Sequence, residues 1–543
     1  MTVQSGWSIA WFAGLFLGVG VVSGEARGGD SPGADAPRTI TLAYFADLHA
    51  QLEPHPELYW SRGKDELVRE AGGVARLATA IRDLRKERPG KTLIMDAGDT
   101  IQGSAAAAWT EGAVVVPALN ALGLDLAIPG NWEVVYGKSV LLKRAGEFHY
   151  PMIAANIRDA TTGRLIFPPY LVKDIGGVRV GVIGFTDPDV PERQPPSYSK
   201  GLLFDKDDVL PPLVERLRKV ERADVVVVLS HIGLPKAISL AERLHGVDIM
   251  LSGDTHERTY EPIVRRDTWI VEPGGFGSFF GRLDVTVAGG RVTDRRWKLI
   301  ELRSGEVAEA PDVTRVVADT LAPLRGRLDA VIGKTNVTLA RYAVVETSLD
   351  AMLTDALREE TGADIALSNG FRFASPSLVG PLEEKDLWTW YPITSQVMIG
   401  KATGKQIREF WEREIENVFA TDPRKLFGGW LPRTSGMTMR FEARAPRGGR
   451  VREILVAGEP IKDDHLYTVS SCRREGDPPD KLCRIPKVQD PRVLKVDAHE
   501  AVRHYLARHR PLEQPSMGRV VAVDLPPVVR SQVMASSPPS ADK

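Results

Sequence analysis

Side chains able to bind metal ions recur through the first half of this chain, each after a short apolar run. Asp47 and His49 stand two residues apart, so an extended backbone points both the same way and lets both bind one ion. A lone Asp at such a place is more often a turn or cap residue than a ligand. Later runs end before Asp99, Asn131, His231, Asp254 and His256. Capping alone does not explain this series, and it favours a metal site.

The apolar runs themselves predict buried strands. They cover residues 40–45, 92–95, 126–128, 225–229 and 247–251. Helical patterns lie between them, for example over residues 73–87 and 209–221. Strands that alternate with helices in this way predict an α/β domain with layered sheets.

A second α/β pattern follows in the other half of the chain. Its helix-like segments are residues 348–361 and 404–419, and its strand-like segments are residues 364–367 and 437–441. A Pro/Ser-rich end predicts a disordered tail. The predicted organisation is a first domain at 38–305, a linker helix at 306–332, a second domain at 333–525 and the tail at 526–543.

The composition argues against a fibrous, disordered or membrane-embedded protein and against one that binds nucleic-acid polymers. The 543 residues are 43% apolar and 26% charged, which is typical of a globular protein. A formal net charge of -1 indicates no polyanion-binding surface, so no nucleic-acid polymer is expected as a partner. A small anionic substrate is compatible with this charge.

The apolar run at residues 9–22 is too short to span a bilayer comfortably and has the length of a secretory signal core. We therefore predict a signal peptide at residues 1–26, cleaved after Gly24 or Ala26, and a periplasmic or secreted protein without a stable membrane span. No Lys or Arg precedes the run, which leaves an uncleaved anchor or a misplaced start as alternatives.

Cys472 and Cys483 are the two cysteines of the chain. In an oxidising compartment they are predicted to pair and close a small loop. Two free thiols are the alternative.

The motifs together resemble the calcineurin-like metallophosphoesterases, in the branch of the secreted 5′-nucleotidases and the thiosulfohydrolase of bacterial sulfur oxidation. The N-terminal motifs are Asp47-Leu48-His49, Gly98-Asp99, Gly130-Asn131-Trp132-Glu133, Ser230-His231 and Gly253-Asp254-Thr255-His256. Residues 346–349, 361–367 and 368–372 resemble the 5′-nucleotidase C-terminal domain. The resemblance implies a four-layer α/β/β/α sandwich followed by a second α/β domain.

The resemblance also implies two divalent metal ions. Asp47, His49, Asp99 and His256 would hold the first, and Asp99, Asn131, His231 and Asp254 the second. Mixed oxygen and nitrogen ligands suit manganese or zinc. Such ions lower the pKa of a bound water from about 15.7 toward 7 and so supply hydroxide at neutral pH. Asn131 and His231 are the implied catalytic residues, each able to touch a substrate oxygen.

Two positions depart from the family pattern. The family's Gly-Asn-His-Glu motif pairs its His with an Asp three residues later, whereas this chain has Trp132 and Val135 there. The sequence Gly-Asn-Trp-Glu resembles the corresponding motif of the thiosulfohydrolases. Asp254 stands where a His is usual, and its extra negative charge favours harder ions such as manganese.

Substrate binding is expected from Arg372, Asn369 and Trp132. An Arg fork suits a phosphate or carboxylate, although a solvated surface Arg is the alternative. Nucleotidases of this type hold the base between two aromatic rings. Phe427 or Trp430 would supply one, but residues 473–479 contain no Phe or Tyr for the other.

Three functions follow from these observations. The leading hypothesis is an exported two-metal hydrolase that cleaves nucleotides or other small phosphate esters. The rival is a thiosulfohydrolase-like enzyme, which releases sulfate from sulfur bound to a carrier protein and does not need the His dyad. The third is a metal-stabilised binding protein with little catalysis.

Overall fold

The computed structural model describes residues 36–61, 64–426 and 428–526. The predicted signal peptide, nearly all of the predicted tail, and Phe427 lie outside the described residues. Within those ranges, no helix combines the length and the apolar character needed to cross a membrane.

The first half is built from fifteen strands and nine α-helices in its described part. The strands are β1 (Arg38–Phe45), β2 (His55–Ser61), β3 (Lys64–Ala71), β4 (Thr92–Asp96), β5 (Leu126–Ala127), β6 (Ile157–Asp159), β7 (Tyr170–Ile175), β8 (Val178–Thr186), β9 (Leu202–Phe204), β10 (Val225–His231), β11 (Ile249–Ser252), β12 (Ile263–Arg265), β13 (Thr268–Val271), β14 (Phe279–Ala288) and β15 (Arg291–Glu301). The helices are α1 (Val74–Glu87), α2 (Ala105–Thr110), α3 (Val115–Asn120), α4 (Lys138–Glu147), α5 (Val190–Arg193), α6 (Leu210–Lys219), α7 (Leu234–Ala241), α8 (Pro311–Leu321) and α9 (Arg325–Leu328).

Two sheets form the centre of this half, in the orders β15-β14-β1-β4-β5 and β12-β13-β11-β10-β8-β7. Side chains alternate along β1, so Leu42 and Tyr44 face the second sheet while Ala43 and Phe45 face helices. Helices α1, α3 and α8 cover the first sheet, and α6 and α7 cover the second. The four-layer α/β/β/α sandwich expected from the resemblance is confirmed.

The second half contains a five-stranded sheet, β20-β17-β24-β19-β25, and a four-stranded sheet, β23-β22-β21-β26. Its strands are β16 (Val331–Thr335), β17 (Ile365–Gly370), β18 (Gly380–Glu383), β19 (Gln396–Thr403), β20 (Trp430–Ser435), β21 (Met437–Phe441), β22 (Val451–Val456), β23 (Glu459–Pro460), β24 (Leu466–Cys472), β25 (Gln489–Asp497) and β26 (Val520–Ala522). Its α-helices are α10 (Ser348–Thr361), α11 (Glu384–Trp390), α12 (Gly404–Phe419) and α13 (Ala498–Arg508). This is the expected second α/β domain.

Parallel pairing places the polar motifs at one edge. Strand β1 runs parallel to β4, and β10 runs parallel to both β8 and β11. The motifs that contain Asp47, Asp99 and Asp254 follow β1, β4 and β11, and His231 ends β10. Because the carboxyl ends of parallel strands meet, residues far apart in sequence converge there.

Candidate metal centre

The loops that carry the candidate ligands have an unusual backbone. Asp47, His49, Asp99, Asp254 and His256 all have φ between 48° and 88°, the left-handed region that favours glycine. The loops brace one another, since the amides of Asp47 and His49 donate to the carbonyls of Gly98 and Asp99, both at 2.9 Å. Backbone of this kind costs of order 1–3 kcal/mol per residue and concentrates at functional sites.

Five of the predicted ligands form two buried groups that share Asp47. In each group the ligand atoms lie within 4.8 Å of one another. One group is Asp47, His49 and His256, and the other is Asp47, Asp99 and His231. His256 Nε2 lies 3.3 Å from Asp47 Oδ1, and His231 Nε2 lies 3.1 Å from Asp99 Oδ2. This spacing is compatible with an ion in each group.

The three histidines are oriented as metal ligands. Their Nδ1 atoms lie 2.9, 2.7 and 3.1 Å from the carbonyl oxygens of Gln102, Ala97 and Arg372, in the order His49, His231 and His256. A carbonyl oxygen only accepts, so each Nδ1 carries the hydrogen and each Nε2 is turned toward the carboxylates. A ligating His commonly donates its other N–H in this way.

Asn131 Oδ1 is buried and has no hydrogen-bond partner among the described residues, and the buried His231 Nε2 faces the carboxylate oxygens of Asp99 and Asp47 at 3.1 and 3.8 Å. Asn131 Nδ2 donates to Asp254 Oδ1 at 3.2 Å. This bond orients the Asn131 side-chain amide and leaves its own Oδ1 available to a ligand. A buried polar atom without a partner is costly, and a cation would satisfy both Asn131 Oδ1 and His231 Nε2. The donor set of carboxylate, imidazole and amide groups therefore fits the divalent ions that the sequence predicts.

Burial decides the protonation of these ligands. Burial lowers the pKa of His49 to about 4, and burial together with Arg372 lowers the pKa of His256 to about 3. Both rings are consequently neutral at pH 7, as metal binding requires. Burial raises the pKa of Asp47 to about 7. Burial opposes protonation of His231, but the neighbouring Asp99 holds its pKa well above the usual value, so an ion bound by His231 would replace a proton.

Glu133 organises the two loops that carry Asp99 and Asn131. Its carboxylate accepts hydrogen bonds from the amides of Asp99 and Thr100 at 2.8 and 2.6 Å and from Gly130 at 2.6 Å. We assigned no role to Glu133 from the sequence, although it belongs to the Gly-Asn-Trp-Glu motif. Its partners belong mostly to the loop after β4, more than thirty residues away.

Asp254 is the one predicted carboxylate or histidine ligand that belongs to neither of these groups of described residues. Its Oδ1 lies 3.0 Å from Arg193 Nη2 and its Oδ2 lies 3.3 Å from Arg193 Nη1. Arg193, which ends the short helix α5, is a site residue that no pattern in the sequence predicted. The acidic segment before α5 is the one sequence feature that points to Arg193. The partner of Arg193, Asp254, lies some sixty residues later in the chain.

An aromatic wall occupies the place of the family's dyad. Trp132 and Val135 are buried in one cluster with Phe276 and Phe373. The Trp132 and Phe373 rings are 5.2 Å apart, and the Phe373 ring is 4.1 Å from that of His49. Neither position 132 nor position 135 therefore offers a proton to a leaving group.

A cavity of about 550 Å³ opens above the centre, between the two domains. It is lined by Asp99, Asn131, Trp132, Arg193, Asp254, Asn369, Arg372 and Trp430, among others. The Arg372 side chain is 10% exposed, and its Nη2 donates to the Asp254 carbonyl at 2.9 Å. Arg372 is thus a cavity residue and not a solvated surface arginine. Asn369 is exposed to the cavity.

Both cysteines also line this cavity, and both are free thiols. The predicted disulfide is therefore not formed in the structure. Burial raises the pKa of Cys472 to about 12, so its thiol stays protonated and slow to oxidise.

Comparisons with known proteins agree with this architecture. The family model for the calcineurin-like phosphoesterases matches residues 40–258, and the model for the 5′-nucleotidase C-terminal domain matches residues 330–472. Protein UshA of Yersinia enterocolitica is 21% identical, over 87% of this chain and 92% of its own length. The 5′-nucleotidase of Vibrio cholerae is 23% identical over 88% and 92%. The trifunctional nucleotide phosphoesterase YfkN of Bacillus subtilis is 24% identical over 81% of this chain, which spans about a third (32%) of that protein.

Two solved structures are similar over nearly the whole described chain. Sulfate thiohydrolase SoxB of Thermus thermophilus has a TM-score of 0.80 at 25% identity and covers 90% of this chain and 98% of its own. A 5′-nucleotidase precursor of the same organism has a TM-score of 0.77 at 23% identity, with 90% and 100% covered, and shows the shared fold. The chain therefore belongs to the 5′-nucleotidase family of metal-dependent hydrolases, with a calcineurin-like phosphoesterase domain followed by a 5′-nucleotidase C-terminal domain.

Proposed function

We propose that this protein hydrolyses small phosphate-ester anions, nucleotides among them, with two divalent ions of manganese or zinc. The observation that carries the proposal is the buried Asn131 Oδ1, which has no hydrogen-bond partner among the described residues, together with His231 Nε2 facing carboxylates at the base of an arginine-lined cavity. When bound, such ions neutralise substrate oxygens and supply hydroxide at neutral pH.

The residues have distinct roles in this proposal. Asp47, His49 and His256 would hold the first ion, and Asp99, Asn131 and His231 the second. Asp99 Oδ1 accepts the Trp132 amide at 2.7 Å, which turns Oδ2 toward His231. Arg372 and Asn369 would bind the anionic substrate above the ions.

The aromatic wall restricts the substrates. Without a proton donor at positions 132 and 135, turnover depends on how well the leaving group departs as an anion. Esters with acidic leaving groups should therefore react faster than those with poor leaving groups.

A second candidate is the release of sulfate from sulfur bound to a carrier protein. It is favoured by Trp132 in the Gly-Asn-Trp-Glu motif and by the similarity to SoxB at 25% identity and TM-score 0.80. This reaction would use the same two metal ions and the same aromatic wall.

A substrate panel and metal analysis test the proposal. Purified protein is assayed for Mn and Zn content and for hydrolysis of AMP, UDP-glucose, bis-p-nitrophenyl phosphate and a thiosulfonate. Asp99→Ala, His231→Ala and chelation should each abolish turnover, while the exposed Asp174→Ala should not. Turnover of the thiosulfonate alone would favour the second candidate. Bound metal without any turnover would favour a metal-stabilised binding protein, and activity in metal-free protein would exclude the two-metal mechanism.

Export is also proposed, from the apolar run at residues 9–22. N-terminal sequencing of protein from the native host should begin near residue 25 or 27. An intact Met1 on a cytosolic protein would exclude it.

A further inference from the structure

Asp254 stands at a position where the family's pattern places a histidine ligand, yet both of its carboxylate oxygens face Arg193. Oδ1 accepts from Arg193 Nη2 at 3.0 Å and from Asn131 Nδ2 at 3.2 Å, and Oδ2 accepts from Arg193 Nη1 at 3.3 Å. The pair is buried, with the Asp254 side chain 6% exposed and that of Arg193 12% exposed. Bidentate pairs of Arg and carboxylate are among the strongest hydrogen-bonded contacts in proteins.

Arg193 is itself held firmly in place. Its Nη1 pairs with the fully buried Asp187, which Lys236 Nζ also contacts at 3.3 Å. The backbone around Arg193 is tied to the second domain, because Arg474 Nη2 donates to the carbonyls of Glu192 and Gln194 at 2.7 and 2.6 Å. The Arg193 guanidinium is therefore held in a fixed position within the site.

The same contacts occupy the carboxylate of Asp254. Both of its oxygens already accept hydrogen bonds from the Arg193 guanidinium, and Arg372 Nη2 lies 4.0 Å from Oδ2. The carboxylate is thus already paired with a protein cation. An ion at the second position has to compete with Arg193 for it.

We propose that Arg193 is a positioning residue that keeps Asp254 from ligating the second metal ion and thereby sets the affinity of that position. The inference rests on the two-metal function proposed above. It makes the centre asymmetric: the first ion would be held by Asp47, His49 and His256, and the second would bind more weakly because the Asp254 carboxylate is not available to it. The substitution of Asp for His and the presence of Arg193 are then one feature, since without Arg193 the buried Asp254 would lose its nearest cation, leaving only Arg372 at 4.0 Å.

Binding of Mn²⁺ to the metal-free full-length protein tests this inference independently of activity. Free Mn²⁺ is followed by electron paramagnetic resonance, and both affinities are fitted. In Arg193→Met the second ion should bind about tenfold more tightly or better, the scale on which outer contacts tune metal affinity. Arg193→Lys, which keeps the charge but not the fork, should give a smaller gain of the same sign and carries the test if Arg193→Met does not fold.

Two further variants separate the release of Asp254 from a general loss of positive charge. Lys236→Met removes a cation from the same network without touching Asp254, and should change the second affinity much less than Arg193→Met. Adding Asp254→Asn to Arg193→Met should cancel the gain. An unchanged or weaker second ion in Arg193→Met, an equal gain in Lys236→Met, or a gain that survives Asp254→Asn would each overturn the inference. If the wild type binds fewer than two ions at saturation, the two-metal function falls as well; if it binds two, only the inference is at stake.

Discussion

At the scale of single residues, Trp132 and Val135 are the most informative departures from the family. They are 9% and 8% exposed and pack in one cluster, which Phe276 of the first domain and Phe373 of the second complete. A single loss of the His would leave its Asp partner buried and unpaired, which is costly. The joint change to two apolar residues avoids that cost, and the packing indicates an adapted site.

Restoring the dyad should change substrate preference. Trp132→His with Val135→Asp would supply the proton or charge that a poor leaving group needs, help worth roughly a hundred- to ten-thousand-fold in enzymes that have it. Turnover of AMP should therefore rise more than turnover of p-nitrophenyl esters, measured as kcat on both. Val135→Asp alone is the control and should only destabilise. Wild-type protein that already hydrolyses AMP as fast as activated esters would contradict this account of Trp132.

Arg372 should contribute to substrate binding and not to metal binding. It enters the cavity from the second domain, and its loss removes a charged contact to the substrate anion, typically about 2–5 kcal/mol when the partner stays buried. Arg372→Ala should raise KM while Mn content stays at the wild-type level. The exposed Arg473→Ala on the same cavity is the control. Unaltered KM and kcat on every active substrate would remove Arg372 from the site.

At the scale of elements, periodicity in the sequence located well the helices and strands that it predicted, and left the shorter elements unpredicted. Helices α10 and α12 occupy the predicted residues because side-chain caps at Thr347 and Thr403 define their starts. The predicted linker helix at 306–332 is instead divided into α8 and α9, with a short 3₁₀ turn over residues 322–324 between them. Pro323 lies at the break, where it lacks the N–H that a continuous helix needs. Both helices pack on the first domain's core through Val313 and Leu328, among others, so they are not a free linker.

The sequence predicted less of the candidate site than of the helices and strands that position it. The convergence of side chains that follow successive strands could be predicted, because parallel strands bring their ends together. Glu133 and Arg193 could not be assigned roles, because their partners are backbone amides and carboxylates of distant loops. Such contacts leave no periodic signal along the chain.

Glu133→Gln should destabilise the loops after β4 and β5. The neutral side chain turns N–H groups toward the donors of Asp99, Thr100 and Gly130, and lost bonds to a charged acceptor cost about 1.5–3 kcal/mol each. Urea unfolding of metal-free protein should show a loss of roughly 3 kcal/mol or more, and Mn²⁺ binding should weaken. The exposed Glu306→Gln serves as the matched control. Equal stability of the two variants would show that Glu133 does not brace the loops.

At the scale of the whole molecule, the second domain completes the candidate metal centre of the first. The Arg372 carbonyl accepts from His256 Nδ1 at 3.1 Å, and Tyr342 Oη donates to the His256 carbonyl at 2.9 Å. Ser197 Oγ donates to Glu475 at 2.7 Å on the far side of the cavity. The orientation of a metal ligand and the walls of the cavity therefore depend on how the domains meet.

Arg474 is the contact that should test this dependence most directly. Its Nη2 donates to the carbonyls of Glu192 and Gln194, and its side chain is only one-third (33%) exposed. Arg474→Met removes both bonds from the segment that carries Arg193, at a cost of about 1–3 kcal/mol after allowance for its partial exposure. Hydrogen exchange at residues 190–197 should accelerate, because opening of that segment no longer breaks a contact between domains. The exposed Arg473→Met, one residue earlier in the same loop, should leave exchange there unchanged. Equal exchange in both variants would show that α5 is held by the first domain alone, through Asp187 and Asp254.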